Sequence, residues 1–305
     1  MNFAMTGGTG FVGASLLRDE RFNGAKSLGR KNSNSYDHFS ECDLFNITEM
    51  IELLTDVDVL IHSAGLAHVD RSSSLTNFEY YNEVNFEMTR TLLDASVQAG
   101  VKHFVFLSTV KVLGEVSKPD KPFSNKSKYR CENEYATSKR LAEEYIHQVA
   151  ECNDIAYTII RPPLIYGPDV KGNMRQLLKL IDCNLPLPFA NLKNKRSLLA
   201  IDNLADFIWL VANNTASHNE TFCVCDGYNL SFSEIVAELI HARGKSSILF
   251  GVSTKILFFL ANIIGKSDSY KVISSNVEID NSHASSVLGW HPKLNTSKGI
   301  RLYYG

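Results

Sequence analysis

The sequence predicts an α/β fold: a doubly wound parallel sheet followed by a smaller C-terminal α/β lobe. Three observations lead there. Short apolar runs alternate with helical patterns through the first half of the chain, which implies parallel strands covered by helices on both faces. A glycine-rich turn joins the first run to the first helix, as in a Rossmann mononucleotide-binding unit. After Pro163 the alternation gives way to longer helical patterns with isolated short strands. The division read from this is a Rossmann domain over residues 1–163 and a second lobe over 164–305, with some later segments returning to the first lobe.

In chain order, Phe3 to Met5 is a short buried strand and Phe11 to Leu17 opens the first helix. Val57 to Ile61 and Phe104 to Leu107 are apolar runs of strand length, and between them Val84, Met88, Thr91 and Leu92 recur at helical spacing. Ala156 to Ile160 is a further strand, stopped at Arg161-Pro162-Pro163 because proline lacks the N–H that a ladder needs. In the second half, Gly172 to Cys183 is helical and Ser197 to Ile201 reads as a short strand. Asp202 is the expected N-cap of a helix through Val211. Ser231-Phe232-Ser233-Glu234 is a capping box ahead of Ile235, Val236, Leu239 and Ile240. Ile248 to Ile264 is strongly apolar but shorter than the ~20 residues of a membrane span. The expectation there is a helix packed on the core of the second lobe, with a peripheral membrane contact as the alternative.

A chain of 305 residues can bury a large core. A formal net charge of -2 creates no global field that would gather nucleic acid, which is not expected as a partner. The six cysteines lie without C-x-x-C pairing or zinc spacing, which predicts free thiols in a reducing, cytoplasmic setting and no metal. Met1 to Met5 leads straight into the glycine turn, so the start reads as a strand and not as a signal peptide.

Thr6-Gly7-Gly8-Thr9-Gly10-Phe11-Val12-Gly13 spaces glycines at 7, 10 and 13. Glycine allows a tight turn and close approach of the backbone to a pyrophosphate, and the helix N-terminus adds N–H groups and the positive end of its dipole. A glycine pattern alone is weak, but its place between strand and helix makes Gly7, Thr9, Gly10, Phe11, Val12 and Gly13 candidates to hold NAD or NADP. Arg30, after the second strand, stands where an NAD site often carries an acid. It suits the 2′-phosphate of NADP, or else belongs to a solvated basic turn with Lys31. Asp43 and Leu44 are candidates for the adenine edge, and Ser63-Ala64-Gly65 is small enough for the cofactor to lie against its backbone.

Tyr135-Ala136-Thr137-Ser138-Lys139 puts Tyr135 and Lys139 on one helix face. A free tyrosine, with a pKa of ~10, is a poor base near neutrality. The Lys139 ammonium is expected to lower that value, so that Tyr135 exchanges a proton with a hydroxyl or ketone while a nicotinamide moves the hydride. Lys139 can also hold the nicotinamide ribose. Ser108-Thr109 ends the strand Phe104 to Leu107, at the edge where open α/β sheets bind ligands, and offers a hydroxyl to the reacting oxygen.

With these residues in place, the chain resembles the extended short-chain dehydrogenase/reductase family, in its sugar-nucleotide epimerase/dehydratase branch. The likeness runs through Thr6 to Gly13, Asp43-Leu44, Asn85, Leu107-Ser108-Thr109, Tyr135 to Lys139, Arg161-Pro162, Ile165-Tyr166-Gly167-Pro168 and Leu288-Gly289-Trp290-His291-Pro292. It implies an enzyme with NAD or NADP in the first lobe, a UDP-linked sugar in the cleft to a substrate-binding second lobe, and a homodimer. Thr109, Tyr135 and Lys139 would form the catalytic triad, with Asn85 and Pro162 beside the cofactor and Ser108, Thr109 and Lys111 beside the sugar. Asn173 and Arg196 would face the diphosphate, where a guanidinium can bond two oxygens at once.

Lys111-Val112-Leu113-Gly114-Glu115 and Val170-Lys171-Gly172-Asn173-Met174 resemble a bacterial subgroup that handles UDP-linked N-acetylhexosamines for surface polysaccharides. That implies chemistry at C4, leaning to reduction of a 4-keto-6-deoxy sugar, with C4 epimerisation of UDP-glucose or UDP-N-acetylglucosamine as the alternative. A non-catalytic NADP-binding regulator is the rival from another class, and the tyrosine–lysine pair speaks against it. Dehydratases of the family carry an acidic pair after the catalytic threonine to expel water. Here Val110-Lys111 follows Thr109, which argues against that reaction, and Leu113 replaces the family's frequent tyrosine.

Overall fold

The computed structural model describes residues 1–32, 36–67, 77–170 and 172–305. In the first half, β1 (Phe3–Thr6), β2 (Lys26–Gly29), β3 (Phe39–Glu41), β4 (Val59–His62), β5 (His103–Leu107) and β6 (Ala156–Arg161) alternate with α1 (Phe11–Arg18), α2 (Ile47–Leu54), α3 (Asn77–Asn82), α4 (Met88–Ala99) and α5 (Glu134–Cys152). The second half contains β7 (Leu164–Tyr166), α6 (Gly172–Asp182), β8 (Lys195–Arg196), β9 (Leu198–Ala200), α7 (Ile201–Ala212), β10 (Glu220–Cys223), β11 (Leu230–Ser231) and α8 (Phe232–Ala242). It ends with α9 (Thr254–Ile263), α10 (Ser267–Ser274), α11 (Ser282–Leu288) and α12 (Thr296–Tyr304).

The predicted doubly wound sheet is present. Its seven strands stand in the order β10-β6-β5-β4-β1-β2-β3, all paired in parallel. The chain winds one way from β1 to β3 and the other way from β4 to β6, so the crevice for a ligand opens at the strand C-termini between β1 and β4. Alternation along each strand sends side chains to two separate cores. Met5, Ile61, Val105 and Ile160 pack with α1 and α7 residues such as Leu16 and Phe207. Ala4, Leu60, Phe104 and Ile159 pack with α2, α4 and α5 residues such as Met50, Leu92 and Ile146. Each large apolar side chain buried this way contributes about 1.5–3 kcal/mol. Strands buried on both faces explain why these runs are apolar throughout instead of alternating.

β10 joins the edge of β6 from far along the sequence. A third core, around Tyr166, Val236, Leu239 and Ile300, belongs to the later segments. Tyr166 donates to Asp226 at 2.7 Å, and Asp226 also accepts from the Ala200 N–H at 2.8 Å and from Asn203 at 2.7 Å, which ties β7, β9 and α7 together. The capping box of Ser231 and Glu234 opens α8.

Two expectations are corrected. Asp202 does not cap α7: β9 runs directly into the helix, so Ala200 is the N-cap and Asp202 lies in the first turn. The apolar segment 248–264 is covered on one side only, with Leu249 packed on the third core. Among the residues of α9 only Leu257 and Ala261 are buried.

Candidate active site

The glycine turn is set by contacts that leave no room for side chains. Gly7 has φ +81°, and a Cβ there would lie 2.6 Å from the Ala64 backbone nitrogen. A Cβ on Gly13 would lie 2.2 Å from the Gly7 carbonyl oxygen, so α1 packs directly on the turn. The Gly10 N–H donates to the Gly7 carbonyl at 2.8 Å. Among the described residues no side chain caps Gly10, so the first-turn N–H groups of α1 can face an anion. A close-packed glycine cradle against an uncapped helix start fits the pyrophosphate of a dinucleotide. Thr9 and Gly10 are exposed, Phe11 is half-buried, and Val12 points into the core, which leaves its backbone as the part that can face a ligand.

Opposite this turn, hydrogen bonds fasten the end of β4. Ser63 donates to the Thr6 carbonyl at 2.7 Å. Thr6 and Thr89 flank the His62 ring at 2.7 and 2.8 Å. Burial first, and then the nearby Lys139 charge, hold the His62 pKa well below its ordinary value, so the ring is neutral. Asn85 is fully buried and works as a clamp. It accepts from the Leu66 N–H at 2.8 Å, and donates to the Leu66 carbonyl and to Ser138 at 3.0 Å each. It thereby joins the loop after β4 to α5. Asn85 sits in a π-helical turn, Glu83–Glu87, between α3 and α4, a local underwinding that is often found at functional sites. A Cβ on Gly65 would meet Asn85 Oδ1 at 3.0 Å and Lys139 Nζ at 3.1 Å.

Asn133 caps α5 through the Ala136 N–H at 2.8 Å and sets the register that turns Tyr135 and Lys139 to the same side. Lys139 is buried. Its Nζ donates to the Leu107 carbonyl at 3.0 Å and lies 4.5 Å above the Phe106 ring. Burial lowers its pKa to about 8, with Glu143 acting the other way. Tyr135 is half-buried against Tyr81, ring centroids 5.8 Å apart. Burial pushes its phenol up to about 12, opposed by a hydrogen bond with Thr109. This corrects the expected direction: the Lys139 head is turned to the Leu107 carbonyl, and desolvation outweighs what lowers the phenol. Thr109 is buried, and its hydroxyl also accepts from the Lys111 N–H at 3.3 Å.

Ser108 donates its hydroxyl to Glu143, below the floor of the site. Glu143 forms a buried pair with Arg161 and accepts from Tyr129 at 2.8 Å. Pro162, also buried, accepts from the Val110 N–H at 3.0 Å and so ties the end of β6 to the turn after Thr109. Arg30 and Asp43 are exposed at the far side of the crevice, beyond β2 and β3, and Leu44 is buried beneath them. Asp43 accepts from the Phe45 N–H at 3.1 Å.

Nearby, Lys111 pairs with Glu115 at 3.3 Å, and Glu115 accepts from Asn133. Arg196, in β8, donates from Nη1 to the carbonyls of Val272 and Ser275. Burial lowers its pKa to about 10, with Glu115 acting the other way. Among the described residues no carboxylate lies within ion-pair distance of Arg196, whose guanidinium is half-buried. Asn173 is exposed in the first turn of α6, and Lys171 before it lies outside the described residues.

The structure therefore brings Thr109, Tyr135 and Lys139 together beside Gly65 and Asn85. Sequence reasoning had not assigned His62, Asn133, Ser138, Glu143 or Arg161. Of these, Asn133 was legible, as an asparagine directly before a helix with an acidic first turn. The Glu143–Arg161 pair has no local signal, since its partners are joined only by the packing of α5 on β6.

Comparisons with known proteins agree with this architecture. Residues 3–225 match the NAD dependent epimerase/dehydratase family. A UDP-glucose 4-epimerase of Vibrio cholerae is 33% identical over 303 residues, covering 97% of this chain and 92% of that protein. An N-acetyl-alpha-D-glucosaminyl-diphospho-ditrans,octacis-undecaprenol 4-epimerase of Escherichia coli O157:H7 is 28% identical over 255 residues, 80% of this chain and 73% of that one. Among solved structures, the UDP-glucuronic acid 4-epimerase of Bacillus cereus in complex with NAD superposes with a TM-score of 0.79 at 20% identity, covering 100% of this chain and 97% of the other. The UDP-glucose 4-epimerase of Thermotoga maritima with UDP-glucose gives a TM-score of 0.78 at 20% identity over the same shares; both show a common fold. The chain belongs to the NAD-dependent epimerase/dehydratase family of enzymes.

Proposed function

We propose that the protein is an NAD-dependent 4-epimerase of a UDP-linked hexose. The observation that carries the reading is the bond from Lys139 Nζ to the Leu107 carbonyl at 3.0 Å, which sets the α5 face of Tyr135 and Lys139 beside Thr109 at the C-terminal edge of the sheet. The lean toward a 4-keto reductase gives way here to epimerisation, because the Vibrio cholerae relative named for that reaction aligns over nearly the whole chain. Lys111, in place of the second acid of dehydratases, supports a reaction without loss of water.

Bound against the glycine turn, NAD supplies reversible hydride transfer at C4 of the sugar. The chain supplies the proton path. Tyr135 takes the proton of the C4 hydroxyl as C4 gives up its hydride, and returns it after the 4-keto sugar has turned its other face. Thr109 holds the same oxygen by a hydrogen bond. Lys139 lies close enough to Gly65 to bond a ribose resting on that backbone, and a positive charge brought beside Tyr135 would draw the phenol's pKa down from about 12. Arg196 holds the diphosphate, assisted by Asn173, and Lys111 faces the sugar.

The test is an NMR assay of UDP-glucose, and separately of UDP-N-acetylglucosamine, with catalytic NAD. A C4 epimer formed without net change in cofactor supports the reading. Stoichiometric oxidation of NADH or NADPH with a UDP-4-keto-6-deoxy sugar, and no epimer in the other tubes, overturns it in favour of the reductase.

A further inference from the structure

The helix α9 has two apolar faces and uses one. Leu257 and Ala261, four residues apart, are buried. Ile256, Phe259, Leu260 and Ile263 recur at helical spacing on the other side and are 53%, 63%, 48% and 65% exposed. Four large apolar side chains exposed on one helix face mark an interaction surface and are not the scattered exposure of ordinary surfaces. No described helix is long and apolar enough to cross a membrane, and at 10 residues α9 is far too short to span one.

The charges around the patch identify what it meets. From Gly244 to Val277 the sequence holds four lysines, at 245, 255, 266 and 271, against the single acid Asp268, although the whole chain carries -2. Lys255 opens α9, Lys266 follows its end, and both are exposed. An apolar helix face rimmed by lysine is the pattern of a helix lying in the plane of an anionic lipid surface, with aromatic and aliphatic side chains at the acyl boundary and ammonium groups among the headgroups. A two-fold contact with a second copy would instead gather lysines of one sign around a shared patch.

We propose that α9 docks this protein on anionic phospholipid. The contact bears on the active site, because α10 packs on α9 and ends in the Val272 and Ser275 carbonyls that hold Arg196.

The test is sedimentation of the full chain with vesicles of phosphatidylglycerol and phosphatidylethanolamine, and with vesicles of phosphatidylcholine alone. The parent protein is expected to pellet with the first and to remain largely free of the second. The double variant Phe259→Ser/Ile263→Ser, and separately Lys255→Glu/Lys266→Glu, should each bind the anionic vesicles about tenfold more weakly or worse. Both variants lie away from the catalytic residues and report their own folding by circular dichroism. A parent protein that stays in solution, binds both lipids equally, or binds as well with either pair replaced, overturns the proposal. A concentration-dependent dimer that is lost in Phe259→Ser/Ile263→Ser, with no vesicle binding by the parent, assigns the face to a second copy instead.

Discussion

Arg161 and Glu143 form a buried ion pair, with Nη2 2.5 Å from Oε2 and side chains 5% and 0% exposed. Glu143 stands one turn beyond Lys139 on α5 and also receives the Ser108 hydroxyl. The pair therefore braces the strand end that carries Thr109 against the helix that carries Tyr135. Replacing Glu143 by alanine strands a buried guanidinium and should cost about 3–5 kcal/mol. Urea unfolding reads this directly, and a loss below about 1 kcal/mol would remove the brace from the account.

Tyr135→Phe keeps the ring on Tyr81 and deletes the phenol proposed to exchange the proton. Turnover of the sugar should fall roughly 10²- to 10⁴-fold, with NAD affinity unchanged by calorimetry. Parent-like turnover would take the proton transfer away from this residue.

Gly13→Ala forces a methyl group to within 2.2 Å of the Gly7 carbonyl oxygen. The turn has to move, at a cost of about 1–3 kcal/mol, and NAD should bind about tenfold more weakly or worse. Fluorescence titration with NAD on a variant of native circular dichroism checks this; parent-like affinity would contradict the cradle.

Arg196 is half-buried and, among the described residues, has no carboxylate within ion-pair distance. Arg196→Ala should raise the KM for the UDP-sugar roughly 10- to 100-fold with little change in kcat, since a diphosphate contact acts equally on ground and transition states. A fall in kcat at constant KM would place Arg196 at the reacting carbon instead.

The lowered pKa of Lys139 has a stability consequence. Between its folded value of about 8 and its ordinary 10.5, the unfolded chain holds a proton that the folded chain lacks, so this residue's contribution to stability rises with pH across that window. The full penalty, about 3 kcal/mol for a shift of that size, is present below pH 8. Lys139→Met removes both the charge and the penalty. It should be more stable than the parent at pH 7 by up to that amount, with the advantage shrinking from pH 8 to 10.5. Denaturation midpoints at several pH values test the trend, and a constant difference between the proteins would refute it.

The parts of the site legible in the sequence are those whose geometry is local. Gly7, Gly10 and Gly13 declare a turn because their spacing fits one strand–helix junction, and Tyr135 with Lys139 declares a face because a helix has a fixed period. The sheet was readable because its strands are buried on both sides and so uniformly apolar. What depends on distant neighbours was not readable. Asn85 gives no sign of its bonds to Leu66 and Ser138, nor Ser108 of its bond to Glu143. The phenol of Tyr135 was misjudged because the sequence shows the nearby ammonium but not the burial. The segment 248–264 was misjudged because an apolar run does not reveal whether anything covers it.

The strand β10 lies about sixty residues beyond its neighbour β6 in the chain. A ribosome that has made everything through Pro163 has produced every strand of the sheet but its last, and β6 waits with an unpaired edge. Until Cys223 has emerged, that edge is open to any other extended chain. Expression of residues 1–163 alone should therefore yield aggregates, although that fragment contains the entire glycine turn and the tyrosine–lysine pair.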